Sequence, residues 1–200
     1  MTTVVEEARA ELRREHQLVC APLLDQTVRV AQQIQDGVEW PVAYIREGLD
    51  LWHRFVVELR EPAAKEVFLP LLLAANLPTN DPRVQAIWAE RPREREQLAQ
   101  LEELMEGYEE HRGQAPWKLG MALRGYAMSN KAWLAEEEQV VAALLPREVD
   151  ETLARQVREA LGRVRSTTDR LAETVRSSTT RPPPGAAPPG SPPAPPAAPR

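Results

Sequence analysis

Residues 3–36 read TVVEEARAELRREHQLVCAPLLDQTVRVAQQIQD. Val5, Ala8, Leu12, His16, Val19, Leu23, Leu24, Val28, Ala31 and Ile34 advance through this stretch by threes and fours, with charged residues between them. That spacing predicts one long amphipathic helix. A second helix is predicted from Pro41, placed in a first turn, through Ile45, Leu49, Trp52, Phe55, Val56, Leu59, Ala63, Val67 and Leu71 to Asn76. Asn80-Asp81-Pro82 reads as an N-cap followed by a first-turn proline. It opens a third helix that runs through Val84, Leu98, Leu101 and Met105 to Gly107. After a polar break from Tyr108 to Gln114, a fourth helix carries Leu119, Leu123, Tyr126, Trp133, Leu134, Val141 and Leu144 as far as Pro146. A shorter fifth helix is expected from about Glu148 to Arg170, packed across one end. No segment alternates like a strand and no Gly-rich phosphate loop is present. The chain is therefore expected to be all-α, an up-down-up-down four-helix bundle with short connections.

Around this core the composition is ordinary for a soluble domain: 200 residues, 42% hydrophobic and 28% charged, with one cysteine, Cys20. One cysteine excludes an internal disulfide and suits a reducing, cytoplasmic setting. A net charge of −5 and a pI near 5.4 argue against nucleic acid or an anionic membrane surface as partner. The longest apolar run, Val67 to Ala75, is too short for a membrane span. Ten of the 19 prolines lie between Pro182 and Pro199. Residues 1–172 are read as the bundle, and 173–200 as a disordered Pro/Ala-rich tail that can bury too little to order itself. A proline-rich ligand for another domain is the sharper reading of that tail.

Three stretches carry a family resemblance: Leu12-Arg13-Arg14-Glu15-His16, then residues 55–70, FVVELREPAAKEVFLP, then residues 133–141, WLAEEEQVV. In order and spacing they resemble the hemerythrin-like, or HHE cation-binding, family over about residues 8 to 165. The resemblance implies a buried di-iron site with histidine and carboxylate ligands from all four helices of the bundle. Carried over by position, His16 matches the helix-one histidine and Glu137 the helix-four carboxylate. The other positions have changed. Glu61 and Lys65 stand at the helix-two histidine and carboxylate positions, Arg91 and Arg95 at those of helix three, and Trp133 at the helix-four histidine. A shift of one residue makes Glu66 the helix-two carboxylate and lets Glu138 replace Glu137.

With only three histidines in the chain, His16, His53 and His111, a five-histidine site is excluded by counting. Removing the metals from a carboxylate-rich core leaves buried negative charge that costs several kcal/mol per ion unless fixed cations compensate it. Lys65, Arg91 and Arg95 are the expected compensating cations, facing Glu61 and Glu137, with the Trp133 ring filling the vacated volume. Pro62 and Pro92, each one residue after a lost ligand position, are expected to bend their helices. If any metal were retained, His16, Glu61, Glu66 and Glu137 are its candidate ligands. His16 and Cys20 share a helix face but read first as core. The functional expectation is a non-enzymatic interaction or regulatory module with a largely lost di-iron site and no cofactor. The alternative is an iron-binding protein with an altered site that senses or stores oxygen or iron.

Overall fold

A computed structural model describes residues 3–78, 80–110 and 113–179, apart from the side chains of residues 86–91. Among the described residues there is helix and no strand. Helix α1 runs as Val4–Glu15, a π-helical turn His16–Cys20, and Ala21–Gln35. Helix α2 runs as Val42–Arg54, the π-helical turns Phe55–Arg60 and Ala63–Phe68, and Leu69–Ala74. Helices α3 (Pro82–Glu109), α4 (Ala115–Leu144) and α5 (Glu151–Thr179) follow. Two of the starts show a local cause. Thr3 and Glu6 close a capping box on α1. The Asp81 side chain accepts from the Arg83 amide ahead of first-turn Pro82 in α3.

Proline explains the π-helical turns. Each ends two residues before one: Cys20 before Pro22, Arg60 before Pro62, and Phe68 before Pro70. A proline ring inside a helix collides with the carbonyl four residues earlier. Here the amides of Ala21, Glu61 and Leu69 instead reach back five residues, to the carbonyls of His16, Val56 and Ala64. The wider turn just ahead of the ring keeps α1 and α2 continuous. Pro62 thus leaves helix two whole, and Pro92 lies within an unbroken α3.

The core forms where the apolar stripes of the helices meet, with Leu23, Trp52, Phe55, Leu59, Leu71, Leu101, Met105, Leu119 and Leu161 fully enclosed. Trp52 donates through Nε1 to Thr27 Oγ1 at 2.9 Å and meets Tyr126 edge-on, with ring centroids 5.1 Å apart. Tyr108 Oη ties the α1–α2 connection to α3, accepting from the Trp40 amide at 2.9 Å and donating to its carbonyl at 3.0 Å. Helices α1 and α4 approach closely at Gly120, where an added Cβ would stand 3.0 Å from the Ala31 carbonyl oxygen.

Helix α5 departs from expectation. It has 29 residues and, instead of crossing one end, lies along α1 and α2. Arg165 reaches Glu11 at 3.2 Å, Arg158 reaches Glu7 at 3.3 Å, Arg163 reaches Glu66 at 2.7 Å and Arg170 reaches Glu58 at 2.8 Å. Arg14 pairs with Asp169. Beneath these ion pairs Val157, Leu161, Val164, Leu171 and Val175 are buried, and this apolar face supplies most of the attachment. Residues 173–179 therefore belong to the helical body and not to a tail. The Pro/Ala-rich stretch from 180 on lies outside the described residues. Among the described residues no helix is long and apolar enough to cross a membrane.

Replacing Gly120 with valine forces α1 and α4 apart where Gly120 meets Ala31 and Gln35. We expect Gly120→Val to lower unfolding stability by about 2–3 kcal/mol, read from the urea midpoint, with helix content retained.

Candidate functional site

Four helices each send a polar side chain to one level of the core. The π-helical turn of α1 begins at His16, that of α2 ends at Arg60, α3 supplies Glu94, and α4 supplies Glu137. Arg60 is the centre. Its side chain is 1% exposed, among the most enclosed in the protein. Nη2 donates to Glu137 Oε2 at 2.9 Å, and Nη1 faces both Glu94 carboxylate oxygens at 3.4 Å. The guanidinium carbon lies 3.8 Å from the centre of the Trp133 ring, with Phe55 at 5.5 Å on the same cation. His16 extends the chain of charges. Its Nε2 lies 3.5 Å from Glu137 Oε2 and its Nδ1 2.6 Å from Glu138 Oε1.

The electrostatics follow from this geometry. Burial opposes the Arg60 charge, but Glu137, Glu94 and Glu15 outweigh it and raise the guanidinium pKa, so the cation is permanent. Burial likewise works against protonation of His16. The Glu137 carboxylate, the charge of Glu15 and the bond to Glu138 overcome it, and the imidazole pKa is raised above 6.5. Glu15, Glu94 and Glu137, all under 5% exposed, thus surround Arg60 and a histidine that readily gains a second positive charge. Cys20 lies fully buried beside them, its thiol pKa pushed up by burial, and so remains a protonated core group at neutral pH.

The candidates named from the sequence divide. His16, Glu137 and Trp133 meet in this cluster. Glu61 does not: it turns one position away from the centre and pairs near the surface with Arg95, which is half exposed. Glu66 is an exposed partner of Arg163, and Lys65 points to solvent, where Ala63 and Ala64 fill the inward positions. Two of the four proposed ligands, Glu61 and Glu66, therefore lie apart from the other two; only His16 and Glu137 are adjacent. The Arg91 side chain lies outside those described. Arg95 does face Glu61, as expected, but the cation on Glu137 is Arg60.

The displacement has a physical reason. A regular count of 3.6 residues per turn through α2 ignores the π-helical turn Ala63–Phe68, which uses an extra residue and moves the inward position from 61 to 60. On α3 a usable signal was present: Glu94 extends the buried row Leu98, Leu101, Met105 backwards by four. Arg60 similarly follows Val56 and Leu59 within a buried row.

The raised His16 pKa fixes the sign of a pH effect. Its stabilising contribution is fully present below the ordinary value of 6.5 and is lost as pH rises through the higher folded-state value. Urea midpoints measured from about pH 5.5 to about pH 8.5 should fall with rising pH in the wild type, and His16→Gln should flatten that slope.

Compared with known proteins, the chain matches no family model, no curated protein and no solved structure.

Proposed function

We propose that this protein is a non-enzymatic helical module of hemerythrin-like, up-down bundle architecture in which a buried arginine stands where a di-iron centre would be, and that it works as an interaction or regulatory module. One observation carries the reading: side chains from α1, α2, α3 and α4 converge on one interior level, and the cation at their centre is Arg60. The convergence of four helices on a polar centre is the layout of a bundle that holds metals. The chemistry of the centre differs. An iron pair needs several imidazoles and bridging carboxylates with free lone pairs, whereas here Glu137 and Glu94 accept from the guanidinium and the single imidazole is held between Glu137 and Glu138. Among the described residues no group of three His, Cys, Asp or Glu side chains is arranged around a common ion position. Trp133 covers the guanidinium where a further ligand would have to enter. The donor set does not fit the metal pair.

The test is elemental mass spectrometry with an absorption spectrum, on protein made without a metal-binding tag in iron-supplemented medium. We expect no stoichiometric iron and no oxo-bridge absorption in a fully helical protein. About two irons per chain would overturn the proposal.

A further inference from the structure

Helix α5 stops partway along the groove that it fills between α1 and α2. Arg163 meets Glu66 and Arg170 meets Glu58, so α5 descends α2 about one residue for one and reaches Thr179 near the level of Leu49. On α1, the pairs Arg165 with Glu11 and Arg14 with Asp169 bring the same end near Leu24. Directly ahead of Thr179 a cleft of about 340 Å³, its mouth included, opens between the two helices, flanked by Gln26, Val30, Tyr44 and Gly48 and backed by Leu123 of α4. Every residue that lines it is uncharged.

Three features suit this cleft to a chain laid along it. Gly48 leaves the rim bare, since an added Cβ there meets nothing within 4 Å. The Gln26 side chain, in a residue only 4% exposed, donates to Tyr44 Oη at 2.9 Å, but its buried Oε1 accepts from no group among the described residues. Ser178, in the last turn of α5, is buried too, so the chain leaves that helix against the body of the protein.

We propose that the segment Arg181–Ala187 of this same chain, Arg-Pro-Pro-Pro-Gly-Ala-Ala, lies in the cleft as polyproline II, so that tail and bundle mask each other. At about 3.1 Å per residue, Arg181 falls at the level of Gln26, with Pro182 and Pro183 at that of Val30 and Tyr44. The Arg181 amide is the last N–H before three prolines and donates to Gln26 Oε1, and the rings that follow lay apolar surface on Val30 and the tyrosine. No charge occurs from Pro182 to Pro199, which matches the uncharged lining. Proline loses little freedom when held, and a tether this short gives an effective concentration of about millimolar or more, so a weak intrinsic affinity suffices. The cleft is separate from Arg60, and the inference does not rest on the reading of the core.

Paramagnetic relaxation on the isotope-labelled full chain, with a nitroxide on Ala187→Cys, tests this. Cys20 is fully buried and stays unlabelled. Residues 37–40 and 56–59 lie about equally far from Thr179, in opposite directions along α2. We expect the nitroxide to broaden the amides of residues 37–40 at least about threefold more than those of 56–59, which a freely moving chain of this length reaches as often. Gly48→Leu, which fills the mouth, and Pro182→Gly/Pro183→Gly, which leaves the helices untouched, should each abolish that difference. Equal broadening of the two stretches, or a difference that survives both variants, would overturn the proposal. So would broadening of residues 37–40 in labelled chains without nitroxide when they are mixed with nitroxide-bearing chains, because the occupant would then be the tail of a second copy.

Discussion

A guanidinium enclosed by protein on all sides has to be neutralised where it stands, and the arrangement of the four central helices follows that requirement. Arg60 is held between Glu137 and Glu94 with the Trp133 ring against it. The two carboxylates come from different helices, so the charge balance is satisfied only when α2, α3 and α4 hold one mutual register. Taking two or more ions out of water costs several kcal/mol per ion before their attraction returns any of it. Such a cluster is thus better at specifying which arrangement forms than at deepening its stability. The apolar core, from Leu23 and Trp52 to Leu119 and Leu161, supplies the stability.

The π-helical turns set which residues meet in that register. His16 opens one and Arg60 closes another, and both turns precede prolines that an uninterrupted α-helix would not accommodate. The extra residue in each turn offsets the helix faces on its two sides by about 100° relative to a regular helix. That rotation carries Arg60 inward and turns Glu61 toward Arg95. The prolines thereby connect a local backbone restriction to the identity of the central cation.

Much of the fold was legible in the sequence because 3.6-residue periodicity is a local signal. The extents of α1, α2, α3 and α4 follow from their apolar spacing and from caps at Thr3 and Asp81. Helix α5 was expected to end near Arg170, and it runs on to Thr179. Its apolar row continues through Leu171 and Val175, but its dense arginines read as a solvated face, and their pairing with Glu7, Glu11, Glu58 and Glu66 depends on helices distant in sequence. Within the core, His16, Glu137 and Trp133 were recognisable by position, and the need for a compensating cation followed from burying carboxylates without metals. The identity of that cation was only partly legible: Arg60 continues the apolar row of Val56 and Leu59, but the resemblance pointed to Glu61. It depends on a one-residue offset produced by backbone geometry between Ala63 and Phe68 that no side-chain pattern announces.

Whether Arg60 neutralises the interior carboxylates is tested most directly by a mutant cycle on unfolding free energy. Arg60→Met alone leaves Glu94 and Glu137 buried without their cation and should cost about 3–5 kcal/mol. Adding Glu94→Gln and Glu137→Gln to Arg60→Met should recover most of that loss, with a coupling of at least about 2 kcal/mol. A loss below about 1 kcal/mol for Arg60→Met, or strictly additive losses across the cycle, would contradict the account.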